Sequence, residues 1–333
     1  MMTRRNKIIA LIAAGAIVGA ALGALWSLRV LQSNNEIKRQ TEMTKPKVYF
    51  TRDISPAGLM QVYNALGRVP HGRVAVKIST GEPGGHNYLK PDLIGDFVKS
   101  VDGAIVECNT AYGGGRAHTA DHLRAAAEHG FTAIAPVDIM DADGEIELPV
   151  SRGLQIKKNY VGSHFKNYDF WVILSHFKGH QMGGFGGALK NMAIGIASGP
   201  GKLWVHSAGK TKTEWVDTPQ DAFLESMADA VASVIDSVGA ENMIHINVLN
   251  NLSIDCDCAA HPADPEMADI GIMASLDPVA LDRASVDAVY ASPDQGKKHL
   301  CERIEKLNGT HILRASEKLG IGRESYELVD LDK

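Results

Sequence analysis

FWVILSHFKGHQMGGFGGALKNMAIGIASGPGK, residues 170–202, is the stretch whose reading decides the fold. Phe170 to Leu174 is a short run of aromatic and branched residues, the pattern of a buried strand. The chemistry then changes: Ser175, His176, Lys178 and His180 fall close together, and Gly183, Gly184, Gly186 and Gly187 strip the backbone of side chains. Ala188 to Ala197 is predicted as a helix, with Lys190 and Asn191 in its first turn. A strand that enters a glycine-rich loop and then a helix gathers free backbone N–H groups at the positive end of a helix dipole, which suits an anion. Lys178 and Lys190 add full charges, and His176 and His180 can serve as ligands or proton carriers. The plainer alternative is a tight turn whose glycines serve close packing. The concentration of histidine, lysine, asparagine and glycine favours a functional site.

Upstream the same unit repeats. Val48–Thr51 and Val74–Thr80 read as strands with a helix over Ser55–Leu66 between them, and Pro91 opens the next helix at its favoured first position. Ala104–Glu107 is a strand leading to Cys108 and a loop that carries Arg116. Thr119–His129 follows as a helix, with His118 and His122 four apart and so on one face. Thr132–Val137 is the next expected strand. Strands alternating with helices predict an α/β fold with a mostly parallel, doubly wound sheet, as one large domain or two closely joined lobes over residues 46–333. In such sheets ligands sit beyond the carboxyl ends of the strands. Polar clusters recur there: Lys77–Thr80, Cys108–Thr110, His176–Lys178, Asn247–Asn250 and Ser275–Asp277.

Downstream, Thr218 is placed to cap a helix with Pro219 at its first position, and Phe223, Leu224, Met227 and Val231 form an apolar stripe that reads as core. Ile244–Leu249 is a strand leading to Asp255-Cys256-Asp257-Cys258-Ala259-Ala260-His261. Two thiols and an imidazole so close can supply part of a zinc or iron site. The flanking carboxylates disfavour the thiolates unless a cation is bound, and the competing reading is a polar loop with two buried thiols. Ile270–Ala274 is a further strand, Asp277-Pro278 starts a helix by the cap-and-proline device, and Asp282 and Asp287 are placed on that helix's solvent side.

Net charge −5 with no lysine- or arginine-rich stripe argues against a nucleic-acid partner. Four cysteines in 333 residues make no disulfide framework. The first residues stand apart: Arg4, Arg5 and Lys7 precede a charge-free run from Ile8 to Trp26, the length of a bilayer-spanning helix. Residues 1–31 are therefore expected to be a membrane anchor or signal segment, with an uncleaved anchor preferred because the run exceeds a signal's apolar region. Residues 32–45 read as a polar linker. The flanking basic residues favour an extracytoplasmic domain, weakly. Gly15, Gly19 and Gly23 line one face of the anchor and allow a helix-mediated homodimer.

SHFKGHQMGGFGGALKN with Gly201–Lys202, the stretch Thr110–Phe131, and DCDC followed by Ile270–Val289 together resemble the domain-of-unknown-function 362 family, uncharacterised proteins labelled as iron–sulfur-centre proteins. The resemblance covers about residues 48–330. It implies a metal ion or iron–sulfur cluster as cofactor, although this chain lacks the C-x-x-C-x-x-C insertion that many members carry.

Two functions follow as expectations. The first is a membrane-anchored, metal-binding and redox-active protein with Cys256, Cys258, His176 and His180 as ligands. The second is an enzyme acting on an anionic small molecule, with Lys77, Arg116, Lys178, Lys190, Asn191 and the glycines binding carboxylate or phosphate, and His118, His122, His176 and His180 as acids and bases. In residue types the set is similar to that of nickel-pincer lactate racemases, an analogy that transfers no reaction.

Overall fold

The computed structural model describes residues 45–333. The expected anchor, and the linker as far as Thr44, lie outside the described residues. No helix among the described residues is long and apolar enough to cross a membrane.

In chain order the elements are β1 (Lys47–Thr51), α1 (Pro56–Ala65), β2 (Val74–Lys77), α2 (Pro91–Ser100), β3 (Gly103–Glu107), α3 (Thr119–Glu128), β4 (Val137–Ile139), β5 (Glu145–Pro149) and β6 (Lys158–Gly162). There follow β7 (Phe170–His176), β8 (Lys178–His180), β9 (Gly184–Gly186), α4 (Ala188–Ala193), α5 (Gly199–His206), α6 (Gln220–Val238) and β10 (Met243–Leu249). The chain ends with β11 (Gly271–Ser275), α7 (Pro278–Ala291), α8 (Lys298–Lys306), α9 (His311–Lys318) and β12 (Glu327–Asp330).

Eight strands form one sheet in the order β12-β1-β11-β10-β7-β2-β3-β4, parallel except where β11 runs against both β1 and β10. The period of two in β7 shows why this run is apolar throughout. Phe170, Val172 and Leu174 enter a core with Leu59, Ile94, Phe97 and Phe131, while Trp171 and Ile173 enter another with Met192, Phe223, Leu224 and Val231. Helices cover both faces, so neither set of side chains meets water. Pro46–Lys333 forms one compact unit, so the two-lobe alternative does not hold.

Several boundaries differ from the sequence expectations for local reasons. β2 stops at Lys77 because Thr80 turns its N–H onto the Glu107 carboxylate, 2.6 Å away. The strand expected at Thr132–Val137 is a 3-10 turn over Phe131–Ala133 and then β4, since Pro136 has no N–H for the ladder and Phe131 is buried. The helix expected over Ala188–Ala197 ends at Ala193 and restarts as α5, capped by Ser198. Between them Gly195 lies against the Lys77 side chain, where a Cβ would sit 2.7 Å from Nζ. Pro219, not Thr218, is the N-cap of α6.

Candidate functional site at the carboxyl edge of the sheet

β2, β3 and β7 run parallel, so their last residues emerge at one edge, and the ends of these strands together with α4, α5 and the Cys256–Ala259 loop enclose a cavity of about 490 Å³. Of the residues singled out from the sequence, Lys77, Arg116, His176, Lys178, His180, Gly186, Gly187, Lys190, Asn191, Cys256 and Cys258 line it. His118, His122, Gly183 and Gly184 do not. His118 is exposed at the start of α3, and His261 is exposed in its loop. His122 is buried behind Glu107, with Nε2 3.5 Å from the carboxylate.

The glycine-rich loop is a hairpin of β8 and β9 rather than an open cradle. Gly184 takes φ +81°, close against Gly309, so only a residue without a Cβ fits. The first N–H groups of α4 are already occupied. Asp282 accepts from Ala188 N at 2.8 Å and from Leu189 N at 2.9 Å, and a Cβ on Gly187 would collide with this carboxylate. Asp282 therefore does not face solvent as expected: it is fully buried, and burial raises its carboxyl to about 6. An internal carboxylate fills the place where an external anion was expected. Asp287, on the same helix, is half-buried against Arg283 and Tyr326.

At the strand ends, Glu107 is a hub. It accepts from Thr80 N and Oγ1 and from Arg116 Nη1, and Lys77 Nζ lies 3.8 Å from it. Burial alone would raise its carboxyl, but Arg116 and Lys77 hold it well below the ordinary range. Arg116 is spent on Glu107, Glu82 and the Tyr112 hydroxyl, so it organises the wall rather than reaching freely for a ligand. Asn191 from α4 clamps two strands, donating to the carbonyls of Lys77 and Leu174 while its Oδ1 accepts from Lys77 Nζ.

The Asp255–Cys258 loop is fixed by Asp257, which accepts from His176 Nδ1 and from Lys178 Nζ, each at 2.8 Å. His176 Nε2 faces the Asn250 carbonyl at 2.6 Å. Both ring nitrogens therefore meet oxygen acceptors and neither is free for a metal, which removes His176 from the expected ligand set. Burial opposes the Asp257 charge, but Lys178 and His176 outweigh it and keep the carboxyl below its ordinary range. Asp255 lies 3.8 Å from Arg303. The acidic neighbours of the two cysteines are thus both compensated by cations.

Two further histidines present opposite faces to the cavity. His180 Nδ1 accepts from Gly183 N at 2.8 Å, so the neutral ring carries its hydrogen on Nε2. His206 Nδ1 lies 2.7 Å from the Lys202 carbonyl and must donate to it, leaving the Nε2 lone pair free. Burial, with Lys190 and other cations nearby, pushes His180 well below its ordinary value, and burial takes His206 down to about 4. Both rings are neutral at pH 7. His206, Lys202 and Glu107 were missed as site residues: Gly201–Lys202 was quoted as a motif and Glu107 as a strand end, but His206 carries no local signal and reaches the cavity only because α5 turns back.

Lys190 is the cation without a partner. Among the described residues no hydrogen bond or ion pair is made by its Nζ, whereas Lys77, Lys178 and Lys202 each donate to protein oxygens. Burial, then Lys178 and Lys77, lower its amine to about 7.

The donor set allows a test of the implied cofactor. Donor atoms of His180, Cys256 and Cys258 lie within 4.8 Å of one another, the group among the described residues able to hold a metal ion. The two sulfurs are joined in a disulfide and offer thiolates only after reduction. Cys108 lines the cavity but its thiol faces the Ile196 carbonyl and burial pushes it up to about 12, while Cys301 lies elsewhere. An iron–sulfur cluster, which needs four such ligands, does not fit. A single soft ion matches in number and element type. The match is incomplete, because a ligating histidine normally donates its second N–H and His180 instead accepts there.

Fold and cavity define an α/β domain with a cation-rich pocket beyond the carboxyl ends of its parallel strands. The chain belongs to the family described as a domain of unknown function, DUF362, which it matches over residues 74–287. Among solved structures it is similar to the lactate racemase apoprotein from Thermoanaerobacterium thermosaccharolyticum, with 15% identity over 72% of this chain and 56% of that one, and a TM-score of 0.41. It is also similar to a structural-genomics protein from Thermotoga maritima, with 15% identity over 70% and 56% of the two chains and a TM-score of 0.40. The chain thus spans little more than half the length of either. No curated protein matches it.

Proposed function

We propose that the domain is an enzyme acting on a small molecule that bears a carboxylate or phosphate, by lysine and histidine acid–base chemistry. The observation that carries this reading is the unpartnered Lys190 amine in a cavity whose walls also hold Lys77, Lys178, Lys202 and Arg116. An anion entering there meets fixed positive charge in a partly enclosed site of reduced dielectric, where each contact is worth more than in water. Lys190, half-protonated near neutrality, can take or give a proton. His206 Nε2 is an acceptor and His180 Nε2–H a donor, so the ligand meets a base and a hydrogen-bond donor together. A thermal-shift screen of phosphate and small carboxylates tests the reading. Stabilisation that disappears in Lys190→Ala supports it, and no stabilisation by any anion would sink it.

The metal reading ranks second, favoured by the proximity of His180, Cys256 and Cys258. On that reading the reduced chain binds one soft ion such as zinc, and the ion's place is as Lewis acid beside the anion pocket. Cobalt(II) titration of the reduced protein should then give thiolate-to-metal absorbance that Cys256→Ser abolishes. Attachment to a membrane through residues 8–26, with the domain on the extracytoplasmic side, is also proposed, on hydropathy and flanking charge.

A further inference from the structure

The isolation of the Lys190 amine says more than that the cavity attracts anions. Lys77 is held by the Ile78 carbonyl and Asn191, Lys178 by the His176 carbonyl and Asp257, and Lys202 by the Ala197 carbonyl. Each of these amines is held in place by donating to protein oxygens. Lys190 has no such anchor among the described residues, and burial, then the cations around it, favour the uncharged amine, which is the nucleophilic form. An amine needed only to bind an anion would gain by staying charged and paired. A free, uncharged amine beside fixed cations instead fits a ligand with an electrophilic carbon next to its negative group.

We infer that Lys190 forms an imine with a 2-oxo acid, whose carboxylate is held by the neighbouring lysines while its carbonyl carbon meets the Lys190 nitrogen. This rests on the reading of the cavity as an anion site and specifies its substrate class. In the first step the Nζ lone pair forms the C–N bond and the carbonyl π pair moves to oxygen. The ammonium formed passes one proton to His206 Nε2, whose lone pair is free because Nδ1 donates to the Lys202 carbonyl. His180 Nε2–H donates a hydrogen bond to the oxygen as its charge develops. His206 returns the proton it received to the oxygen to give the neutral carbinolamine. The same Nε2 then carries a proton from solvent to the carbinolamine hydroxyl, the C–O bond breaks, and water leaves as the nitrogen lone pair closes the C=N bond. Amine, ketone and one proton give a protonated imine and one water, with no net oxidation. Met182, Ile194 and Trp215 on the cavity wall provide apolar surface for the rest of the acid.

The test uses the full chain with pyruvate or 2-oxoglutarate, sodium cyanoborohydride to reduce any imine, and peptide mapping of the product. One reduced adduct on Lys190, suppressed by inorganic phosphate and lost in Lys190→Arg, is the expected result. Mapping the wild-type adduct does not depend on the variant folding. Adducts spread over surface lysines, or none on Lys190 with either acid, overturn the imine. Melting curves with the same acids separate the two levels of the argument: stabilisation without an adduct leaves the anion-site reading standing and removes the imine, whereas neither stabilisation nor adduct removes both.

Discussion

Asp282, in the second turn of α7, accepts the N–H of Ala188 at 2.8 Å and so caps the start of α4 from within the protein. The same carboxylate takes Leu189 N and Asn247 Nδ2, which ties a helix, the central strand β10 and α7 at one point. Asp282→Asn exchanges an acceptor for a donor and leaves at least one buried N–H unpaired, so it should destabilise the fold by about 1–3 kcal/mol. Burial raises the Asp282 carboxyl from an ordinary 3.8 to about 6, above its unfolded value. Its contribution to stability is therefore fully present below pH about 4 and lost as the pH rises through 6. The stability gap between wild type and Asp282→Asn should widen on acidification across that window in urea titrations, and a gap independent of pH would contradict this account.

Glu107 should behave in the opposite sense. Its carboxyl is held below the ordinary 4.5 by Arg116 and Lys77 against the effect of burial, so its contribution is present above that value and lost as the pH falls through the lowered one. Glu107→Gln leaves the Arg116 and Lys77 charges buried with less compensation, and by analogy with other broken buried pairs should cost about 3–5 kcal/mol at pH 7. Denaturant unfolding gives the number directly. A loss below about 1 kcal/mol would mean that Glu82 alone satisfies Arg116.

Lys190 should be the first lysine to react with an amine-directed acylating reagent, with a rate midpoint near pH 7 because only the deprotonated form attacks. Timed labelling and peptide mapping measure this site by site. If Lys190 reacts no sooner than the exposed lysines below pH 8, its amine is not both accessible and depressed as described.

Cys256→Ser with Cys258→Ser should leave the melting temperature of the metal-free protein within a few degrees of wild type, because a loop held by Asp257 to His176 and Lys178 does not need the sulfurs to stay in place. A large drop in the protein as purified anaerobically, with bound metal present in wild type and absent from the double variant, would move the metal reading ahead of the anion enzyme.

The charge-free run from Ile8 to Trp26 leads to an expectation about the whole chain: it should remain in the membrane fraction through a carbonate wash, whereas a chain beginning at Lys45 should not. A mature N-terminus between Ala24 and Asn35 would show cleavage instead.

Much of the fold could be read along the chain because it follows from local repetition. An apolar run between turn signals makes a strand buried on both faces, as Phe170–Leu174 did, and Ser55, Pro91 and the Asp277–Pro278 pair mark helix starts by stereochemistry that acts within a few residues. Parallel strands with helices between them must bring their last residues to one edge, so Lys77, Arg116, Lys178, Lys190 and Cys256 could be gathered before their coordinates were known. What each group does there depends on partners far away in sequence. Asp282 looked like a solvent-facing acid because its own helix gives no hint of Ala188, ninety-four positions earlier. His176 looked like a ligand until Asp257 and Asn250 took both its nitrogens, and His206 was overlooked because only the return of α5 brings it to the cavity. Spacing determined which residues could meet. Only the tertiary structure decided which polar atoms are already satisfied and which, like the Lys190 amine, are left to act, because hydrogen-bond and charge compensation in a buried site is a property of all its neighbours at once.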